Sequence, residues 1–222
     1  IAVDAGFAGT QVVIFGTVEN SRQVSPDARI YDVAVVIAGP REEIVSRRKS
    51  NVGGIWVNTA SCGFKDVASY YAVVTTRPIG DIAPRPLLWQ HGIGFENMRF
   101  ATDDKLGSKE LEDYRDAVLR IKTAQGLYRE VPRGVAFIGK SLFRATVDLP
   151  ANVTIGEFTA LIFLFRDGEL LSTFKTRLGL EREGIEQTIY SFAFRQPFWY
   201  GVVAVGFALL AGLIASQVFR RD

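Results

Sequence analysis

A chain of 222 residues with 26 Lys+Arg and 24 Asp+Glu has a net charge of +2, too small for a nucleic-acid-binding protein, which needs a strongly basic surface. Cys62 is the single cysteine, which excludes an intrachain disulfide, a zinc cluster of cysteines and a CxxC redox site. His91 is the single histidine, and no GxSxG, phosphate-binding or calcium-loop motif accompanies it. We therefore expect no catalytic residue, no metal site, no cofactor and no enzyme activity, with His91 a partly exposed loop residue.

The first third of the chain predicts β-structure. Runs rich in β-branched and aromatic residues are bounded by Gly, Pro and Asn, which is typical of strands. They cover residues 11–18, 30–38, 55–58 and 70–76.

A basic patch lies between these predicted strands. It comprises Arg41, Arg47, Arg48 and Lys49, and Gly53-Gly54 follows it. The patch is a possible site for a small anion, lipid headgroups or an acidic partner. Basic residues at an exposed hairpin edge also act simply against aggregation, so both interpretations stay open.

The middle of the chain differs in character. Residues 79–101 are irregular, with several prolines and glycines, and residues 108–125 predict a helix with an apolar face at helical spacing. We expect this helix to pack on the β domain; a partner-binding helix is the alternative.

A second β block follows at residues 142–149, 157–165 and 169–178, with an Asp-Gly hairpin turn between the last two. Alternating apolar residues in this block predict sheets with one buried face. We predict a mainly β domain over residues 1–183: an immunoglobulin-like antiparallel sandwich with a helical insertion at about 79–128. The Cys…Trp…Cys signature of immunoglobulin domains is absent.

The C-terminal region predicts one transmembrane helix over residues 197–219. No charged residue occurs between Arg195 and Arg220, and about 20 apolar residues span a hydrocarbon core of roughly 30 Å. The stretch has residues typical of membrane interfaces at both ends: Trp199 and Tyr200 near its start, and Arg220 and Arg221 directly after it. Residues 184–196 predict a juxtamembrane helix.

The charges around the span predict its orientation. Arg220 and Arg221 follow it directly, which places the tail of residues 220–222 in the cytoplasm and the large N-terminal domain outside. Because the chain starts at Ile1 rather than at Met, we expect a removed signal peptide and, in a bacterium, a periplasmic domain on the inner membrane.

A stripe of small residues marks one side of the predicted span. Ala204, Ala208, Gly212 and Ser216 recur every four positions, and small residues allow membrane helices to approach closely. The stripe predicts helix packing against a partner, although small residues are common in membrane helices in general.

Three segments resemble a family of transmembrane proteins of unknown function from alphaproteobacteria. They are residues 48–58 (RKSNVGGIWVN), residues 69–73 (SYYAV) followed by Arg77-Pro78, and residues 164–168 (LFRDG) leading to the C-terminal span. The resemblance runs along the whole chain and implies a signal peptide, a periplasmic domain and a C-terminal anchor. It also hints at a sulfite-exporter-like permease as partner, and it implies no activity and no functional residues.

Two functions remain. The first is a non-catalytic accessory or structural subunit, whose single helix packs against a larger integral membrane protein complex while its domain faces the periplasm. The second is an anchored periplasmic module that binds a small anion, such as sulfite or sulfate, through Arg41 and Arg47–Lys49. The membrane bilayer is a partner in both, and nucleic acid in neither.

Overall fold

The computed structural model describes residues 2–3, 9–26, 28–182 and 192–219. The chain divides into two compact units. Of the described residues, the larger comprises 9–26 and 28–180, and the smaller comprises 2–3, 181–182 and 192–219.

The strands of the described residues are β1 (Ala2–Val3), β2 (Thr10–Thr17), β3 (Asp32–Ala38), β4 (Arg41–Val52), β5 (Ile55–Ala68), β6 (Tyr71–Thr75), β7 (Tyr128–Pro132), β8 (Val135–Phe137), β9 (Leu142–Leu149), β10 (Gly156–Arg166) and β11 (Glu169–Arg182). The helices are α1 (Ile79–Ile82), α2 (Arg85–His91), α3 (Ser108–Ala124) and α4 (Pro197–Phe219), with a 3₁₀ turn at Phe95–Asn97. The prediction of a mainly β protein is confirmed.

The central sheet of the larger unit has the strand order β11–β10–β3–β6–β7. Its pairs are antiparallel except β6 and β7, which run parallel with Tyr71 opposite Tyr128. Parallel neighbours require a crossover connection, and α1, α2 and α3 lie in this one. The predicted helical insertion is therefore the crossover between two adjacent strands. The immunoglobulin-like, purely antiparallel arrangement is not confirmed, because the sheet is mixed.

A smaller sheet, β2–β9–β8, packs on one face of the central sheet. The Tyr70 hydroxyl donates a hydrogen bond to the Asp148 carbonyl oxygen at 2.8 Å. Val12 and Leu149 of the smaller sheet and Phe158 of the central sheet line the seam between the two. Phe143, Ala145, Val147 and Leu149 are all buried, which confirms the alternation predicted for β9.

Part of the crossover covers the opposite face of the central sheet. The Tyr71 hydroxyl donates to the Gly92 carbonyl oxygen at 2.7 Å and accepts from the Gly94 N–H at 3.0 Å. His91 is half-buried and ends α2, with its ring centroid 5.4 Å from that of Phe163, so the expectation of a loop histidine was wrong. Because both faces are covered, β3 is buried along nearly its whole length.

In the smaller unit, β1 pairs in parallel with the end of β11, Ala2 opposite Glu181 and Val3 opposite Arg182. Residues 192–195 are helical and Gln196 is not, whereas residues 184–191 of the predicted juxtamembrane helix lie outside the described residues. Helix α4 has the bounds predicted for the membrane span. In the part of the chain that the structure describes, no helix meets the length and hydropathy that crossing a membrane requires.

Candidate functional site

A long hairpin stands apart from the two larger sheets. Strands β4 and β5, here called the arm, form a two-stranded sheet from the pair Arg41–Ala68 to the pair Val52–Ile55. An isolated two-stranded hairpin is marginally stable in water, so the arm needs support from the rest of the domain.

Helix α3 supplies that support along β4. The Lys122 ammonium group forms an ion pair with Glu42 near the base of the arm. Farther out, the Arg48 guanidinium group lies 3.1 Å from the Asp113 carboxylate and stacks over the Tyr114 ring at 5.3 Å. This packing bears out the expectation that the helix predicted at 108–125 packs on the β domain.

The arm ends in a tight glycine turn. Gly53 and Gly54 have φ angles of +61° and +87°, which L-residues rarely adopt, and two consecutive left-handed residues match the twist of a two-residue hairpin turn. The Asn51 side-chain oxygen accepts the Gly54 N–H at 2.9 Å. The turn is therefore well defined, and it fixes the positions of the side chains around it.

Large apolar side chains surround this turn in an exposed cluster, the arm tip. Val52, Ile55, Trp56 and Val57 are 58%, 67%, 67% and 40% exposed. The pairs Val52–Ile55 and Ser50–Val57 place the three aliphatic residues on one face, and the pair Asn51–Trp56 places Trp56 on the other. Because contiguous exposed apolar residues often mark interaction sites, the arm tip is a candidate interaction surface, and it was not predicted from the sequence. Its signal was the run Ile55–Val57 beside two glycines.

Near its tip, the charged residues of the arm are all basic. Residues 44–64 contain Arg47, Arg48 and Lys49 and no acidic residue. Arg48 is paired with Asp113, whereas Arg47 and Lys49 form no ion pair among the described residues. The middle of the arm therefore carries two free positive charges behind the apolar tip.

The predicted basic patch is not one compact site. Arg41 lies six positions before Arg47, about 20 Å along a strand, and its guanidinium group donates to the Asp66 carbonyl oxygen at 2.8 Å. One small anion cannot contact Arg41 and Arg47 together. Anion capture by the remaining members of the patch stays a prediction.

Helix α4 presents apolar side chains to its surroundings. Almost every described side chain from Pro197 to Gly212 is exposed, including Trp199 and Tyr200 in the first turn. Ala204, Ala208 and Gly212 follow one another at four-residue intervals, and a Cβ added at Gly212 would meet open space. The side chain of Ser216, and Arg220 and Arg221, lie outside the described residues.

These observations define a class: a mainly β domain that bears a basic, apolar-tipped arm and is followed by an uncharged apolar helix. The chain belongs to the family described as "Putative transmembrane protein (Alph_Pro_TM)", whose model matches residues 1–221. This match confirms the alphaproteobacterial family that the sequence resembles. Comparison with curated proteins and with solved structures gives no match. The function of the family is unknown, so the match assigns no activity to this chain.

Proposed function

We propose that the chain is a non-catalytic, membrane-anchored accessory subunit of a larger integral membrane protein complex. The observation that carries this proposal is the sequence of residues 197–219, 23 positions without a charged residue; the described part of α4 does not by itself meet the length and hydropathy of a membrane span. A helix of that length extends about 35 Å, more than a hydrocarbon core of roughly 30 Å. Exposed side chains such as Phe198, Phe207 and Leu209 favour lipid over water.

The helix is proposed to dock through its small residues. In lipid, helices associate by close packing rather than by the hydrophobic effect. Ala204, Ala208 and Gly212 offer a smooth side, while bulkier residues such as Leu210 lie on another side. The proposed location is a bacterial inner membrane, with the β domain in the periplasm and the C-terminus in the cytoplasm.

Copurification tests this docking. The tagged full chain is isolated from its native membrane in mild detergent, and a stoichiometric integral membrane partner is expected by mass spectrometry. Gly212→Leu should abolish copurification, because the added side chain separates the helices. Gly206→Leu makes the same change on a different side of α4, where a Cβ also meets open space, and it should retain the partner.

Two results would contradict the proposal. One is recovery of the wild-type chain without any partner. The other is equal loss of the partner in both glycine variants, which would point to a general disturbance of α4 rather than to a specific packing face.

The arm is proposed to contact anionic lipid headgroups. Its free cations, Arg47 and Lys49, complement that charge, and Trp56 is a side chain that membrane interfaces favour. A stable protein interface uses about 20–30 residues on each side, far more than the four apolar residues of the tip. The small tip therefore suits insertion between headgroups better than a protein–protein interface.

Tryptophan fluorescence tests the arm independently of the anchor. The full chain carries Trp56, Trp89 and Trp199, so a variant with Trp89→Phe and Trp199→Phe reports on the arm alone. In nanodiscs containing anionic lipid with brominated acyl chains, the fluorescence of Trp56 should be quenched. Adding Arg47→Glu and Lys49→Glu should reverse the quenching, since the attraction to the headgroups is lost.

The matched control keeps Trp89 as the single tryptophan. Trp89 is also exposed in the β domain, where its ring stacks on the Arg99 guanidinium group, and it should show no quenching. Equal fluorescence of Trp56 with brominated and ordinary lipids would contradict the lipid contact and favour a protein partner for the tip.

A further inference from the structure

A second site lies at one end of the central sheet, where strands β6 and β7 finish and strand β3 begins. A cleft of about 470 Å³ opens there. Its lining includes Arg29, Arg77 and Arg133, which are far apart in the sequence. We propose that this arginine cleft binds a small organic carboxylate.

One of the three arginines is locked in place by a buried acid. Asp32 is 4% exposed, and its carboxylate accepts hydrogen bonds from Arg77 Nε at 2.9 Å and from the Thr76 hydroxyl at 2.8 Å. Arg77 Nη2 bonds the second Asp32 oxygen. The hydrogen bond to Asp32 raises the pKa of Arg77, so the guanidinium group stays charged. Two of its five N–H groups face Asp32, and the others remain for a ligand.

Among the described residues, the other two arginines have no such partner. Arg29 and Arg133 form no ion pair among the described residues and are exposed. Both lie in the left-handed backbone region, with φ angles of +52° and +64°. A non-glycine residue in that conformation costs free energy, and such strain concentrates at functional sites. Two arginines in this conformation, neither in an ion pair among the described residues, lie on the lining of the same cleft, which favours a role in binding.

The charge balance favours a monovalent anion. Among the described residues of the lining, three arginines face two acids, Asp32 and Asp81, which leaves a net charge of +1 (3 − 2 = +1). The Asp32 carboxylate already accepts hydrogen bonds from Arg77 and Thr76. Asp81 acts electrostatically on Arg77 and opposes an incoming anion, so its charge weakens the affinity and limits the cleft to ligands of low charge.

The walls favour an organic ligand over an inorganic oxyanion. The cleft has a volume typical of small-molecule sites, larger than one inorganic anion fills. Tyr31, Pro78, Val135 and Phe137 add apolar and aromatic surface. The planar guanidinium fork matches a carboxylate in a two-point hydrogen bond. A ligand with both a carboxylate and an apolar group would therefore contact the arginines and the apolar side chains of the lining.

Binding is measured by isothermal titration calorimetry on the full chain in detergent, with benzoate, phenylacetate and hexanoate as probes and sulfate for comparison. At least one carboxylate should bind more tightly than sulfate. Arg133→Gly should weaken binding about tenfold or more, as expected for lost charged hydrogen bonds. This variant keeps the fold, because a φ of +64° suits glycine.

Two further variants make the result specific. Asp81→Asn should tighten binding roughly two- to fivefold, the effect of one exposed charge. Arg120→Ala, at an exposed arginine of α3 outside the cleft, should leave the affinity unchanged. Absence of binding by all three carboxylates, sulfate binding as tight as theirs, or unchanged affinity in Arg133→Gly would each overturn the proposal. The assay does not depend on the membrane anchor, so its failure leaves the proposed function untouched.

Discussion

At the scale of single residues, the Asp32–Arg77 pair shows how burial decides what a charge contributes. The Asp32 carboxylate is almost fully buried, whereas the Arg77 side chain is 39% exposed. Removing one partner of such a pair leaves the other with unmet hydrogen bonds in a partly dry site. The exposed pairs of this protein, such as Arg48–Asp113, keep contact with water and contribute much less.

Asp32→Asn is therefore expected to destabilise the β domain by about 2 kcal/mol, because Arg77 loses its charged acceptor. Guanidinium chloride denaturation of the full chain in detergent, followed by near-UV circular dichroism, measures the free energy of unfolding. Asp113→Asn is the matched control. Loss of its exposed ion pair should lower the free energy of unfolding by less than about 1 kcal/mol. An equal loss of unfolding free energy in the two variants would show that burial of Asp32 does not increase its contribution to stability.

The Cys62 thiol illustrates another effect of burial. Cys62 lies on β5 and is fully buried, with its sulfur 3.8 Å from the Thr102 hydroxyl. Burial raises the pKa of the Cys62 thiol, so less of the reactive thiolate forms at a given pH. The residue therefore behaves as a small apolar side chain at the inner part of the arm.

At the scale of elements, the turn between β7 and β8 positions one side of the arginine cleft. Arg133 occupies this turn with Gly134 beside it. A Cβ added at Gly134 would lie 2.3 Å from Val74 Cγ1, a buried atom of β6. The glycine therefore allows the turn to lie directly against the central sheet, which carries Arg133 to the cleft.

Gly134→Ala should destabilise the domain by about 1–3 kcal/mol, because overpacking forces the turn away from Val74. Thermal unfolding monitored by near-UV circular dichroism should show a lower Tm. Gly139→Ala is the matched control, since a Cβ at Gly139 meets nothing within 4 Å, and its Tm should stay close to wild type. A normal Tm for Gly134→Ala would mean that the turn has freedom to move.

The arm shows why an element can be predicted only in part. The sequence predicted a strand at residues 55–58 and a connection around the basic residues, but β4 and β5 extend over 12 and 14 residues. Most of the arm is polar or exposed on both faces, so the apolar alternation that marks a half-buried strand is weak there. Its pairing depends on the Gly53-Gly54 turn and on contacts with α3, such as the pair of Arg48 with Asp113, 65 positions away.

At the scale of the whole molecule, the two units lead to different expectations. The larger unit contains the buried core, with Phe64, Phe158 and Phe163 among its largest fully buried side chains. In contrast, the described side chains of α4 are exposed and apolar. We expect the β domain to be stable without α4, and α4 to be what retains the chain in a membrane.

A chain ending at Arg182, where β11 ends, tests this expectation. The full chain should remain in the membrane pellet after alkaline carbonate extraction, and the shortened chain should appear in the supernatant. The thermal transition of the shortened chain should lie within a few degrees of that of the full chain in detergent. Membrane retention without α4 would contradict the anchor, and loss of a cooperative transition would contradict an independent β domain.

The sequence by itself determined the features that depend on local composition and spacing. The mainly β character, the bounds of α3 to within one residue, the buried alternation of β9 and the absence of charge in α4 all follow from residues that are close in the chain. The family resemblance also rested on local segments. These signals are strong because hydrophobic periodicity and helix formation are set by neighbours within a few positions.

Only the tertiary structure decided the features that join distant residues. The parallel pairing of β6 with β7 depends on a crossover of more than 50 residues, and no local pattern specifies whether such a connection returns parallel or antiparallel. Likewise, Arg29, Arg77 and Arg133 are far apart in the sequence, and they line one cleft because β3 begins at the end of the sheet where β6 and β7 finish. Strand order is set by packing over the whole domain, so the sites that it creates became visible only with the fold.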